Sequence, residues 1–112
     1  MKARYKARIQ LNCPVRFAMG TQVGEGRVLD LTSPGCLIES PVAVPEKQSL
    51  QLEMFLPGLK SPFSVMLGVV RWTKGKHFGV EFIKIHESQR LIFDRFMAQR
   101  SSAGATTKAP PN

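Results

Sequence analysis

Hydrophobic and polar residues alternate along most of the chain with the two-residue period of β-strands. Apolar side chains occupy nearly every second position from Ile9 to Met19, with polar side chains between them. Because successive strand side chains point to opposite faces, this pattern predicts a strand that is buried on one face. Pro14 falls on the predicted outer face and indicates an edge or a bulge there. Gly20 and Gly24 are expected to bracket the turn that follows.

Five further short segments are apolar or alternating and predict five more strands. They cover residues 26–32, 36–39, 50–56, 63–73 and 78–82. The fifth predicted strand, 63–73, is apolar in both registers, which is typical of a strand that is covered on both faces. The period changes over residues 87–100, where an apolar stripe at helical spacing predicts an α-helix that packs on the strands. The stripe consists of Ile92, Phe93, Phe96 and Met97.

Six short strands followed by one helix predict an all-β fold, a six-stranded antiparallel β-barrel with a C-terminal α-helix. Closure of the barrel removes exposed strand edges. A chain of 112 residues forms one small domain. We expect residues 1–8 to form a flexible basic arm and residues 9–100 to form the barrel and helix. Residues 101–112 lack an apolar pattern and are predicted to be a disordered tail.

Composition and charge restrict the kinds of protein to which this chain can belong. No apolar run reaches the ~18 residues of a membrane span, and no apolar stretch follows the basic N-terminus as it does in a signal peptide. We therefore expect a cytoplasmic protein without membrane insertion. The formal net charge is +8, and five cations precede the first acidic residue, Glu25. They are Lys2, Arg4, Lys6, Arg8 and Arg16. This asymmetry indicates an anionic partner at the N-terminal segment.

The residues that carry catalysis or bind metals in other proteins are not suitably spaced here. Cys13 and Cys36 do not have metal-ligand spacing and are interpreted as buried thiols in a reducing compartment. His77 and His86 have no partner at metal or catalytic spacing. No nucleophile elbow, glycine-rich phosphate loop or paired-carboxylate motif is present. The sequence therefore predicts neither an enzyme nor a bound cofactor or metal.

Two short motifs, at the N-terminus and after the second predicted strand, carry the candidate binding chemistry. Arg4 and Arg8 form an Arg-x-x-x-Arg motif, and Asp30, Thr32 and Gly35 form an Asp-x-Thr-x-x-Gly motif. These motifs resemble the two signature halves of the PilZ domain, except that Thr32 stands where the family pattern has Ser. Residues 68–72 and 78–82 also look like the late strand pair of that family. The resemblance covers roughly residues 4–98.

The resemblance implies a receptor for cyclic di-GMP in which Arg4, Arg8, Asp30, Thr32 and Gly35 bind the ligand. Arginine suits this ligand because its planar fork matches guanine O6 and N7, grips phosphate and stacks on bases. An ionised Asp30 can accept hydrogen bonds from the N1–H and the exocyclic amine of guanine. The segment Ser33-Pro34-Gly35 is expected to form a type II turn with Gly35 at positive φ. We further expect that ligand draws the basic arm across the barrel and alters a surface for an unidentified effector protein.

Two other functions remain open. Each motif alone is more typical of structure, since basic arms are commonly solvated and Asp-x-Thr-x-Pro-Gly is commonly a hairpin turn. The protein could therefore be a PilZ-like interaction protein that binds no nucleotide. It could also be a small barrel that binds single-stranded nucleic acid, although few aromatic residues are candidates for stacking on bases. Those candidates are Tyr5, Phe55 and Trp72.

Overall fold

The computed structural model describes residues 8–108. They form six strands and one helix: β1 (Ile9–Met19), β2 (Gln22–Leu31), β3 (Gly35–Glu39), β4 (Ser49–Met54), β5 (Phe63–Lys74), β6 (His77–Lys84) and α1 (Glu87–Lys108). All neighbouring strands are antiparallel, and they close into a barrel in the order β1-β2-β3-β6-β5-β4. The predicted six-stranded antiparallel barrel with a C-terminal helix is confirmed. No helix in the described part of the chain is long and apolar enough to cross a bilayer.

The barrel interior is filled by the inward face of each strand, as the alternation of β1 illustrates. Cys13, Val15 and Phe17 are buried, whereas Pro14 and Arg16 are exposed. Deep inside the barrel, the rings of Phe17 and Phe78 meet edge to face at 5.5 Å. Such contacts stabilise beyond their burial of apolar area. The register between β1 and β2 is irregular between Gln10 and Cys13, so the bulge lies just before Pro14.

The first hairpin is tighter than the sequence predicted. β1 and β2 are joined by the two residues Gly20 and Thr21, and Gly20 adopts the left-handed φ of +61°. Gly24 lies inside β2, where an added Cβ would come within 2.6 Å of the ring of Phe17. The prediction that Gly24 belongs to the turn is wrong, because this glycine makes room for an aromatic ring within a strand.

Helix α1 packs on the barrel through an aromatic cluster. Phe93 is completely buried and stacks on Phe63 at 4.8 Å, and it meets Phe82 edge to face at 5.9 Å. Phe96 and Met97 are buried beside it, as the predicted stripe requires. Ile92, the remaining member of that stripe, is 42% exposed and does not belong to the core.

The helix is also longer than its stripe predicts. It continues from Arg100 to Lys108, so residues 101–108 of the predicted disordered tail are helical. Apolar periodicity detects only helix turns that pack on a core, and residues 101–108 carry no such stripe. A helix that is already nucleated gains one backbone hydrogen bond for each residue that it adds. The rest of the predicted tail, 109–112, lies outside the described residues, as do residues 1–7 of the predicted arm.

Candidate functional site

The connection between β2 and β3, together with the first residue of β3, forms a closed four-residue turn from Thr32 to Gly35. The Thr32 amide donates to the Gly35 carbonyl at 2.8 Å, and the Gly35 amide donates to Thr32 Oγ1 at 3.2 Å. The Thr32 hydroxyl in turn donates to the Gly35 carbonyl at 3.0 Å. The hydroxyl of Thr32 is therefore used inside the turn, where it holds the ends of β2 and β3 together.

Gly35 has a different role from the one that the sequence predicted. It is the first residue of β3 and does not adopt a positive φ, so the predicted type II turn with Gly35 at its third position is wrong. Instead, an added Cβ would overlap the backbone carbonyl oxygen of Val80 on β6. Glycine is needed here because two strand backbones approach closely.

Asp30 lies near the end of β2, between two irregularities of the sheet. The register shifts between Gln10 and Cys13 toward β1, and between Val28 and Asp30 toward β3. Such bulges re-aim side chains. The Asp30 side chain is 17% exposed, and its Oδ2 lies 3.6 Å from Nη2 of Arg8. Its other oxygen, Oδ1, is buried and has no hydrogen-bond partner among the described residues.

The predicted site residues that the structure describes lie together. Arg8, Asp30, Thr32 and Gly35 line one open cleft of about 400 Å³ on the outside of the barrel. The fifth predicted residue, Arg4, lies outside the described residues. The pairing of β1 with β2, which places Gln10 opposite Asp30, thus brings Arg8 of the first motif next to the second motif.

The far wall of the cleft contains residues that the sequence did not assign to this site; Trp72 was a candidate only for stacking on single-stranded nucleic acid. Arg71, Trp72 and Glu81 line it, and Arg71 Nε donates to Glu81 Oε1 at 2.6 Å. Trp72 is 43% exposed, and its indole lies over Gly79, where an added Cβ would overlap the ring. The only sequence signal was a glycine at residue 79 in the strand after the single tryptophan.

Strand alternation could not have placed Arg71 and Trp72 on one wall, because neighbours in a regular strand face opposite sides. The register of β5 against β6 is irregular between Val70 and Trp72. This bulge gives both side chains access to the cleft.

The cleft combines charge, hydrogen-bond acceptors and an aromatic face. Arg8 and Arg71 supply planar cations that suit phosphate or a base edge, and Trp72 offers a surface for stacking. The Asp30 carboxylate, which is 17% exposed, can accept a hydrogen bond from a ligand donor. These are the groups needed to bind a planar, anionic ligand with amide-like N–H donors, such as a guanine nucleotide.

The described residues contain no cluster of three His, Cys, Asp or Glu side chains that could hold a metal ion. Cys13 and Cys36 are both free and buried. Burial raises the pKa of the Cys36 thiol, with a smaller contribution from nearby Cys13, and burial also raises the pKa of Cys13. Both groups therefore stay as thiols near neutral pH, and thiols are poor nucleophiles.

Known structures share this fold. The Bacillus subtilis inhibitor of motility, MotI/DgrA, superposes with a TM-score of 0.72 at 14% identity; the match covers 92% of this chain and 53% of that one, so this chain spans about half its length. The PilZ domain of CeSA from a cellulose-synthesizing bacterium gives 0.64 at 15% identity, covering 83% and 96% of the two chains. The PilZ domain of Escherichia coli YcgR, solved with c-di-GMP, gives 0.62 at 14% identity, covering 92% and 95%.

A sequence search of curated proteins gave no match. The sequence itself matches the family model of the PilZ domain over residues 2–99, which is most of the chain. That span includes both motifs, all six strands and the packed part of the helix. The chain belongs to the PilZ domain family.

Proposed function

We propose that this protein is a cyclic di-GMP receptor that relays the signal by contact with another protein. One observation carries the proposal: Asp30, whose buried Oδ1 lacks a donor among the described residues, lines the same cleft as Arg8 and Trp72. A buried acceptor without a donor is costly to keep. A ligand that supplies N–H donors would satisfy it, and guanine has such donors on the edge that carries N1 and the exocyclic amine.

Each side chain of the cleft has a role in this proposal. Asp30 accepts from one guanine, Trp72 stacks on a base, and Arg8 exchanges its 3.6 Å pairing with Asp30 for phosphate or the O6/N7 edge of guanine. Arg4, the partner of Arg8 in the motif, acts beside it from the arm. Gly35 keeps β3 close to β6.

Thr32 positions the turn. Its hydroxyl already takes part in two hydrogen bonds with Gly35. A serine would make the same bonds, so Thr in place of Ser preserves the turn. The added methyl group restricts the side-chain rotamer and leaves less room beside the ligand.

Binding would also position the N-terminal arm. Arg8, 68% exposed, immediately precedes β1 and already reaches Asp30. A ligand that engages Arg8 and Arg4 would draw the arm across the cleft, and the repositioned arm would create or hide a surface for an effector protein. We place this receptor in the bacterial cytoplasm, in motility or biofilm regulation. The similarity to an inhibitor of motility and to a PilZ domain solved with c-di-GMP supports the link to motility.

Calorimetric titration tests the proposal. We expect cyclic di-GMP to give a saturable heat, and GMP to bind far more weakly because it supplies one guanine and one phosphate. The fitted stoichiometry would show whether one ligand or a stacked pair is held. No heat at high micromolar cyclic di-GMP would leave the chain as a PilZ-family interaction protein without nucleotide. Tight binding of single-stranded oligonucleotide instead would favour the nucleic-acid-binding barrel.

A further inference from the structure

A second groove lies on the side of the molecule where α1 meets the loop between β4 and β5. It measures about 480 Å³ and shares no residue with the cleft of Asp30. One wall is the loop with Leu59 and Lys60. The other is one face of α1, where Ile92, Arg95, Gln99 and Arg100 recur at helical spacing.

The shape of the groove is fixed by contacts that are part of the fold. Gln89 Oε1 on α1 accepts a hydrogen bond from the Ser64 amide at 2.8 Å, which ties the start of β5 to the helix. Phe63 and Phe96 are almost completely buried and form its floor. A partner would therefore meet a preformed surface, which lowers the entropy cost of binding.

The rim of the groove is positively charged. Lys60, Arg95 and Arg100 line it, and no carboxylate does. None of the three takes part in an ion pair between described residues. The neighbouring Asp94 lies 3.9 Å from Arg90 instead. The groove also presents Ile92, which is 42% exposed, as an apolar anchor point between these cations.

We propose that this groove docks an acidic segment of a partner protein, in which at least two Asp or Glu residues flank one apolar side chain. The apolar side chain would cover Ile92, and the carboxylates would pair with Lys60, Arg95 and Arg100. The inference rests on the proposed function in one respect, because it names the kind of effector that the receptor would contact.

A peptide fits this surface better than a nucleic acid does. Single strands bind through exposed aromatic faces on which bases stack. The aromatic residues of the groove, Phe63 and Phe96, are buried beneath it. Arg100 further covers the ring of Phe96, with its guanidinium 5.0 Å from the ring centroid.

Selection of random peptides displayed on phage against the purified chain tests the proposal, followed by fluorescence anisotropy with the enriched peptides. We expect the enriched peptides to be acidic with one apolar residue. Their affinity for Arg95→Glu should be about tenfold lower than for wild type, which corresponds to the loss of one good charge contact. Lys84→Glu reverses an exposed cation outside the groove and should leave the affinity unchanged. Arg95 is exposed on a helix, and Glu is a good helix former, so the variant should fold.

Three outcomes would overturn the docking proposal: no enrichment of acidic peptides, equal binding to wild type and Arg95→Glu, or displacement of the peptide by oligo-dT. Calorimetry with cyclic di-GMP on the same proteins keeps this test separate from the proposed function. Arg95→Glu should bind the nucleotide like wild type. Peptide binding without nucleotide binding would refute the proposed receptor function and support the docking groove. Nucleotide binding without peptide binding would refute the docking groove alone.

Discussion

At Asp30, the proposed role in binding conflicts with stability. Its Oδ1 is buried and lacks a hydrogen-bond partner among the described residues, while its Oδ2 faces Arg8 at 3.6 Å. An unsatisfied buried polar group costs about 1–3 kcal/mol of stability. Charged Arg8 compensates little, because its side chain is 68% exposed and the attraction is screened by water. If this position served the fold alone, a residue without the carboxylate would give the more stable protein.

Asp30→Ala is therefore expected to weaken cyclic di-GMP binding at least about tenfold while leaving the melting temperature unchanged or raised. The loss of affinity comes from the missing acceptor, and the gain in stability from removing a buried unpaired oxygen. Calorimetry and thermal unfolding measure the two effects. Glu53→Ala removes a half-buried carboxylate outside the cleft and is the control. A lower melting temperature with unchanged affinity would show that Asp30 serves the turn.

Substitutions of Arg8 distinguish a specific contact with the ligand from a general effect of positive charge. Arg8→Ala should weaken binding about tenfold to a hundredfold, the effect of a charge-assisted hydrogen bond, and leave the melting temperature nearly unchanged. Arg8→Lys should also lose affinity, because an ammonium cannot reproduce the planar fork. Arg16→Lys, on an exposed position outside the cleft, is the matched control. Equal affinity of wild type and Arg8→Lys would mean that only charge matters.

At the scale of elements, the cleft depends on how closely β3 and β6 approach. Gly35 leaves room for the Val80 carbonyl, and the Phe82 amide donates to the Pro34 carbonyl at 2.8 Å. The ring of Phe82 in turn packs on Phe93 of α1. The turn that carries the motif is thus attached to the core through β6.

Gly35→Ala should destabilise the protein by about 1–3 kcal/mol, as overpacking of a tight contact does. The added methyl group would force β3 away from the backbone of Val80. Ser33→Ala, an exposed position in the same turn, should change stability by less than about 0.5 kcal/mol. Urea unfolding gives both free energies. Similar values for the two variants would mean that β3 and β6 separate easily.

The sequence predicted the elements well because alternation reports burial directly. β1 begins and ends where its pattern does, and Phe93, Phe96 and Met97 are buried as their spacing predicted. Glycines were harder to interpret, since Gly24 and Gly35 are required by close packing with Phe17 and Val80 rather than by a positive φ. A contact between distant strands leaves no local signal that distinguishes such a glycine from a turn glycine.

The sequence predicted the residues on only one side of the candidate site. The two motifs indicated Arg8, Asp30, Thr32 and Gly35, which share one cleft. Arg71 was not predicted, and Trp72 was predicted only to stack on single-stranded nucleic acid, because a bulge in β5, visible only in its register with β6, brings both to the same wall. Bulges change which face a side chain occupies, and the hydrophobic pattern does not reveal them.

At the scale of the whole molecule, the charge of +8 could attract any polyanion, so the salt dependence of binding distinguishes the proposed functions. Single strands release counterions from many phosphates, and their affinity falls steeply with salt. Cyclic di-GMP has two phosphates and gains affinity from guanine contacts. We expect shallow salt dependence for cyclic di-GMP and weak, salt-sensitive binding of oligo-dT. Oligonucleotide binding that persists at moderate salt and is not displaced by cyclic di-GMP would favour the nucleic-acid-binding barrel over the cyclic di-GMP receptor.

The most direct test of the proposed site is the fluorescence of Trp72, because it is the only tryptophan of the chain and it lines the cleft. Cyclic di-GMP should change its emission along a saturable curve, since a stacked base alters the surroundings of the indole. The curve should shift to higher concentration in Asp30→Ala and stay unchanged in Glu53→Ala. An emission that stays constant while calorimetry shows binding, or one that responds identically in wild type and Asp30→Ala, would contradict the site.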